Sequence, residues 1–201
     1  MGLTLRPDRV GVVSPGIPGA RSQPSFGQQA EIFRGFANLG RSRSRRRAAR
    51  ALSCQLLNRL LADSMALYEH YNKYDWQSKD DDSSKLYTTL DEQAREHREL
   101  IDLLVERVRQ LGGNASVPRQ VANLTVITRP PNGTEEFAAA VSRLTYANQL
   151  LLGRIRAAVA IVANNPTRDE GTESLLRSML RRYESLVWSL EDLSDAAAMC
   201  A

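Results

Sequence analysis

The sequence predicts an all-α protein whose body is an up-and-down bundle of four helices. In four separate segments the apolar residues recur at spacings of three and four, which is the period of an amphipathic helix. No segment shows the strict alternation expected of a strand. Hydrophobic residues make up 42% of the 201 residues, which is enough for one buried core and a tail.

The first two helices are separated by an acidic break. The first is predicted over about Arg46–Ser78 and the second over about Lys85–Leu111. The run Asp80–Ser83 interrupts the pattern between them, and Ser83 or Ser84 can cap the second helix. Gly112 and Gly113 then supply the left-handed turn that ends helices.

A longer link separates the second helix from the third. Residues 114–133 contain three prolines and are predicted to hold one short extra helix at Arg119–Leu124. The third helix is expected to begin at Thr134, acting as N-cap, and to end at Asn164. The fourth is expected between Asp169 and Leu193. A crossover after the second helix places all four in one bundle over residues 46–195, with tails at 1–45 and 196–201.

Charge is distributed unevenly along the chain. Residues 1–50 contain ten arginines and two acids, whereas the other 151 residues carry an excess of acids. Residues 1–40 are rich in Gly, Pro, Ser and Gln, so residues 1–45 are interpreted as a mobile basic tail. Such a tail is attracted to a polyanion, whereas the acidic body is not. Seven arginines and no acid occur between residues 34 and 50: Arg34, Arg41, Arg43, Arg45, Arg46, Arg47 and Arg50.

These arginines favour DNA as a partner. Arginine binds phosphate bidentately, and clustered cations gain from release of the counterions around DNA. Nothing in the segment reads base edges, so binding is expected to be independent of base sequence. A solubilising tail, or arginines that pair with acids of a neighbouring subunit, is the alternative.

Cysteine usage and hydropathy indicate in which cellular compartment the protein resides. Cys54 and Cys200 lie far apart and form no disulfide framework, which favours a reducing compartment. No apolar run approaches the roughly 20 residues that span a membrane. Pro15 and Pro18 break the one stretch that could resemble a signal peptide. A cytoplasmic protein is expected.

Three carboxylates lie together on the second helix. With Asp91 at zero on a helical wheel, Asp102 falls at about 20° and Glu106 at about 60°. This places them at one edge of the predicted buried face. Asp75, at the end of the first helix, is a fourth candidate. Carboxylate oxygens suit iron, manganese or magnesium.

One ion cannot bridge these acids within one helix. Asp91 and Asp102 are eleven residues apart, or about 16 Å along the axis. They converge only if a second copy of the helix lies antiparallel across a two-fold axis, which would cross near His97. The alternative is a solvated flank on which the acids pair with Arg95 and Arg98.

The ordered set of motifs on these helices resembles the Dps family (DNA-binding protein from starved cells) of ferritin-like proteins, over roughly residues 50–193. The motifs are LNRLLAD at 57–63, YDW at 74–76, LDEQ at 90–93, LIDLLVER at 100–107, LGG at 111–113, EGT at 170–172 and RYESLVW at 182–188.

The resemblance implies a hollow dodecamer of four-helix subunits with a ferroxidase site at the two-fold interface. Such a site binds Fe(II), oxidises it with hydrogen peroxide and passes ferric iron to the cavity; other divalent metals are possible. The matching positions are Asp75, Tyr87, Asp91, Asp102 and Glu106.

Two of these positions depart from the family pattern, in which histidines stand at 75 and 87. Asp75 still offers a ligand and adds negative charge, whereas Tyr87 is a poor ligand and is expected to donate a hydrogen bond. Iron oxidation is therefore expected to be slower or altered. In this family the tryptophan at position 76 lies beside the metal, so Trp76 is grouped with the catalytic residues as a sink for oxidising equivalents.

Other residues receive structural interpretations. Trp76 and Trp188 are expected in the core and His70 on the surface. His97 is expected near the dyad in contact with its counterpart, where a structural role is favoured over that of an extra ligand.

Two further functions stay open. One is a nucleoid-associated protein that compacts DNA and has an idle metal site. The other is an unrelated helical adaptor, which light scattering would find as a monomer.

Overall fold

In a computed structural model of the chain, residues 26–77, 84–115 and 122–199 are described. The described residues are helical apart from the links between helices, which confirms the all-α four-helix prediction. A single helical turn at 122–124 lies within the predicted short helix, whose first part falls outside the described residues. The four long helices are α1 (Phe26–Gln77), α2 (Ser84–Gln110), α3 (Phe137–Ala163) and α4 (Glu170–Met199).

The chain divides into two compact units, Met1–Arg41 and Ser42–Ala201, and the second contains the bundle. Helix α1 begins at Phe26, so the prediction of a first helix from about Arg46 was wrong at that end. Residues 40–48 are helical with exposed side chains, and a helix without a buried face has no apolar stripe to detect. Arginine and alanine nevertheless favour helix in that segment.

All four helices contribute large side chains to one core. These side chains are fully buried, so their apolar surface is removed from water, which is the main favourable contribution to folding. The core includes Leu57, Leu60, Leu61 and Leu67 of α1, Leu100, Leu104 and Val108 of α2, Leu144, Leu151 and Ile155 of α3, and Leu176, Met179 and Leu190 of α4. Within the described ranges, no helix is both long enough and apolar enough to cross a membrane.

Helix α3 starts later than the sequence suggested. Its N-cap is Glu136 and no side chain caps it, so the prediction of Thr134 as cap was wrong. The preceding Glu135 is engaged elsewhere: its carboxylate accepts hydrogen bonds from Tyr74 at 2.8 Å and Arg143 at 2.7 Å. Contact with α1 and with the second turn of α3 therefore holds residue 135 outside the helix.

Helix α4 begins where predicted and ends later. The Asp169 carboxylate accepts hydrogen bonds from the backbone N–H and hydroxyl of Thr172, as an N-cap does. The helix continues to Met199, so the predicted C-terminal tail at 196–201 is helical for most of its length. Three consecutive alanines there favour helix although the apolar period has ended.

The link between α2 and α3 is fastened to the bundle by a buried carboxylate. Asp63 of α1 accepts hydrogen bonds from the Val126 N–H and the Thr125 hydroxyl, both at 3.0 Å, and pairs with Arg154 of α3 at 2.9 Å. Burial raises the pKa of Asp63, and these donors oppose the shift. The ion pair and hydrogen bonds compensate the cost of burying the carboxyl group.

The same link covers His70, which the sequence placed on the surface. Its side chain is only 1% exposed, so that prediction was wrong. Its Nε2 lies 2.7 Å from the carbonyl oxygen of Thr128, and burial lowers the pKa of the imidazole. A covering link cannot be inferred from the period of α1 alone.

Candidate metal-binding face and arginine cleft

The three predicted ligands of α2 lie on its exposed side. Asp91, Asp102 and Glu106 are all exposed in the single chain. On the helical wheel they lie next to Ile101 and Val105, which are partly buried and pack against the core, whereas Leu100 and Leu104 face its centre. Among the described side chains of α2 the buried ones are Leu90, Gln93, Ala94, His97, Leu100, Leu104 and Val108.

Local contacts of these acids are weak. Asp91 lies 3.6 Å from Arg95 one helical turn away, and the aspartate side chain is 54% exposed. This is the surface pairing that the sequence left open, and such pairs contribute little to stability. The Glu106 carboxylate accepts a hydrogen bond from Gln110 at 3.1 Å. Neither contact shields the carboxylates from an approaching cation.

Within one chain, the described residues form no group of three or more His, Cys, Asp or Glu side chains able to hold a metal. Asp75 and Trp76 lie in the last turn of α1 and Tyr87 lies in the first turn of α2, but their side chains fall outside the described part. The exposed position of the α2 acids is the arrangement that a site shared with a second copy requires.

His97 does not lie at a surface where a second subunit could meet it. It is fully buried in the bundle, so the expected contact with its counterpart in a second subunit is wrong, while its contacts agree with the structural role. Its Nε2 lies 2.8 Å from the carbonyl oxygen of Ser64, and its Nδ1 lies 2.7 Å from the hydroxyl of Tyr183. Burial lowers the pKa of His97 to about 4, so the ring is neutral near pH 7.

A second set of hydrogen-bonded polar groups lies next to His97 in the core. The Tyr71 hydroxyl donates to Gln93 Oε1 at 3.3 Å and accepts from Asn148 Nδ2 at 3.0 Å. The Gln93 amide donates in turn to Ser189 at 3.1 Å. These groups link all four helices. The sequence carried one signal of them, since Gln93 and His97 are one helical turn apart on an otherwise apolar stripe.

Four of the predicted DNA-binding arginines share one cleft. Arg43, Arg46, Arg47 and Arg50 are spaced to lie on one side of α1, and all are exposed. They line an open cleft of about 770 Å³ together with Cys54 and residues 111–113, which directly follow α2. Arg45 lies outside the lining of this cleft, while Arg34 and Arg41 belong to the first unit.

Trp188 is 70% exposed, so the prediction that it packs in the core was wrong. Its neighbours Leu186 and Val187 occupy the buried side of α4 instead. Leu103 of α2, beside the acids, and Tyr146 and Ile161 of α3 are also exposed large hydrophobic residues.

Comparison with protein families gives one match over most of the chain. The family model described as the ferritin-like domain matches residues 54–199, which is the bundle described above without the N-terminal part of α1. An uncharacterized protein from the bpoA2 5′ region of Kitasatospora aureofaciens is 42% identical over 116 residues, covering 57% of this chain and 77% of that protein.

Solved structures include similar folds. DpsC from Streptomyces coelicolor is 40% identical, with a TM-score of 0.67 over 72% of this chain and 84% of that one. The Dps protein from Vibrio cholerae O1, described as a member of a broad superfamily of ferritin-like diiron-carboxylate proteins, is 22% identical. It has a TM-score of 0.63 and covers 73% of this chain and 91% of that chain. At that identity the second likeness concerns the fold alone.

Proposed function

Because the chain belongs to the Dps family of ferritin-like proteins, we propose that it sequesters iron and holds DNA. In this proposal Fe(II) is the substrate, bound and oxidised where two subunits meet. The observation that carries it is the exposure of Asp91, Asp102 and Glu106 along one side of α2. Asp75 joins them as a ligand, with Tyr87 and Trp76 beside the metal.

Residues inside the bundle support the interface rather than the interior as the iron site. In ferritin-like di-iron carboxylate proteins, glutamates and histidines project inward from the four helices. The polar groups at the centre of this bundle are Tyr71, Gln93, His97, Asn148 and Tyr183, which already bond one another. These bonds form two sets, Tyr71 with Gln93 and Asn148, and Tyr183 with His97, and neither set contains a carboxylate. The exposed acids have the appropriate chemistry.

The site acts by charge and position. Two subunits with antiparallel α2 helices bring Asp91 of one toward Asp102 and Glu106 of the other, and their negative charge attracts Fe(II). Carboxylates favour the more highly charged ferric product, which assists loss of the electron to peroxide or oxygen. Ferric iron then accumulates inside a hollow assembly of twelve subunits.

Loss of the α2 acids tests the iron-handling proposal. The double variant Asp102→Ala/Glu106→Ala is expected to abolish rapid formation of ferric iron after Fe(II) and peroxide are mixed, as followed by absorbance. Both side chains are exposed, so the fold is expected to persist. The control Asp192→Ala/Asp195→Ala removes two exposed acids from α4 and is expected to oxidise iron at the parental rate.

The second function is binding of DNA through the arginines of α1, four of which line the cleft. Twelve copies on one particle multiply a weak contact by avidity. A cytoplasmic, nucleoid-associated protein that shields DNA from peroxide combines the two activities. An alternative is a DNA-compacting protein with an idle iron site, and it predicts DNA retardation together with an iron oxidation rate that the Asp102 and Glu106 substitutions leave unchanged.

A further inference from the structure

The centre of the bundle places three tyrosine rings around one imidazole. The ring centroids of Tyr183, Tyr71 and Tyr68 lie 5.5, 5.6 and 6.5 Å from that of His97. His97 and Tyr183 are both 0% exposed, and Tyr68 is partly exposed. Aromatic rings at these separations are in contact.

The hydrogen-bond partners determine which nitrogen of His97 carries the ring proton and which group donates to the other nitrogen. A backbone carbonyl only accepts, so the Nε2 atom of His97, 2.8 Å from the Ser64 carbonyl oxygen, carries the ring proton. A neutral imidazole holds one proton, which leaves a lone pair on Nδ1. The Tyr183 hydroxyl, 2.7 Å from Nδ1, is therefore the donor. Tyr183 hydrogen-bonds to a base in a region closed to water.

Tyr71 lies equally close to the imidazole but has different partners. Its hydroxyl donates to the amide oxygen of Gln93 and accepts from Asn148. An amide oxygen accepts a hydrogen bond but does not take up a proton near neutral pH. Tyr71 is thus a comparison within the same core: it has similar burial and ring distance and no base.

This difference matters for one-electron oxidation. A phenol that loses an electron becomes strongly acidic, and a buried cation without a partner is unfavourable. We propose that Tyr183 is a redox-active residue, which gives up one electron to a strong oxidant while its hydroxyl proton moves to Nδ1 of His97. The products are a neutral tyrosyl radical and an imidazolium that stays hydrogen-bonded to it.

The oxidant is a hydroxyl radical, formed with ferric iron and hydroxide when Fe(II) reduces hydrogen peroxide; for this supply the inference rests on the proposed function. The hydroxyl radical accepts one electron from Tyr183 and a proton from solvent and becomes water, while the Tyr183 proton passes to Nδ1 of His97.

A final reduction step restores Tyr183. One electron from a second Fe(II) returns the Tyr183 radical to tyrosine, as the proton moves back from His97 and the iron becomes ferric. The cluster would then hold an oxidising equivalent inside the bundle instead of releasing it to nearby DNA.

The experiment is freeze-quench electron paramagnetic resonance on the assembled protein, mixed without oxygen first with Fe(II) and then with peroxide. An organic radical is expected whose spectrum narrows when the tyrosine rings are deuterated. Tyr183→Phe and His97→Gln are expected to lose this signal. Glutamine can accept the Tyr183 hydrogen bond but cannot take its proton. The matched control Tyr71→Phe is expected to retain the signal.

Two further measurements make the outcome decisive. Difluorotyrosine placed at position 183 adds fluorine splitting to the signal if the radical resides there, without removing a side chain from the core. Photogenerated tris(bipyridine)ruthenium(III), a one-electron oxidant, replaces iron and peroxide. A Tyr183-dependent radical with this oxidant but none with iron would count against the proposed iron chemistry and retain the inference. A signal without fluorine splitting, one that survives in Tyr183→Phe, or no radical with either oxidant would overturn the inference.

Discussion

At the scale of single residues, His97 is held in its neutral form by its surroundings. It lies where water does not reach, donates to the Ser64 carbonyl and accepts from Tyr183. Burial lowers its pKa from the usual 6.5 to about 4. The unfolded chain therefore binds a proton at this residue over a pH range in which the folded chain does not.

The pH dependence of stability follows from that difference. A group with a depressed folded-state pKa makes the unfolded state bind more protons, so stability falls as pH falls from about 6.5 to about 4, by up to about 3 kcal/mol. Thermal unfolding measured across this range is expected to show His97→Gln with a shallower loss of stability than the parent. An unchanged pH dependence in that variant would show that His97 has the same pKa in the folded and the unfolded chain, and would contradict the prediction.

His70 acts in the same direction and gives the matched control. Burial lowers the pKa of His70 too, so His97→Gln still loses some stability as the pH falls. His70→Gln is expected to remove the part of this pH-dependent loss that His70 causes. Its ring lies beneath the link between α2 and α3 and bonds Thr128 rather than a tyrosine.

At the scale of elements, the arginines of α1 form a continuous basic side. Arg43, Arg46, Arg47 and Arg50 line one cleft, and a phosphate approaching it meets several guanidinium groups within two turns of helix. A bidentate guanidinium–phosphate contact is stronger than one with a lysine ammonium. These are the positions where substitutions should affect a nucleic acid most.

Salt dependence provides the quantitative test of DNA binding. Arg43→Gln/Arg46→Gln/Arg50→Gln is expected to weaken retardation of duplexes of any sequence. The slope of log affinity against log salt should become shallower by roughly 0.9 for each DNA phosphate that the variant no longer neutralises. Arg45→Gln, outside the cleft lining, is the control and is expected to have the smaller effect per charge. Equal effects per arginine would indicate a tail that binds only through net charge.

The limits of sequence prediction are clearest in these elements. Apolar spacing located the bundle helices because each buries one stripe. It missed the first part of α1, where residues 40–48 are exposed and bury none. It also misplaced His70 and Trp188, since burial depends on what another segment covers. The α2 acids could be found from their spacing on the wheel. The Tyr183–His97 pair could not, because its partners are 86 residues apart.

At the scale of the whole molecule, the proposed iron site needs an assembly. The α2 acids stand on the outside of one subunit beside the exposed Leu103, and Trp188 and Tyr146 are exposed on α4 and α3. Burying such side chains between subunits favours association, at roughly 25 cal/mol per Å² of apolar surface. We expect light scattering to give a mass near twelve times that of the 22.4 kDa chain.

Introducing a charge beside the acids should weaken that assembly. Leu103→Glu is expected to reduce the mass seen by light scattering and to slow iron oxidation together, because both depend on two α2 helices meeting. Its helical circular dichroism is expected to stay, since the side chain is not in the core. Leu103→Met keeps the surface apolar and is expected to assemble normally. A fully assembled Leu103→Glu protein would place the subunit contact elsewhere.

The Asp63 carboxylate accepts hydrogen bonds from Val126 and Thr125 and pairs with Arg154, and this arrangement affects how the link opens. Together with the contact of His70 with Thr128, it fixes consecutive residues of the link to the bundle, so the link is expected to detach in one cooperative event rather than residue by residue. Amide protons around residues 125–127 should then exchange with solvent together, at a rate governed by how often these anchors open at once.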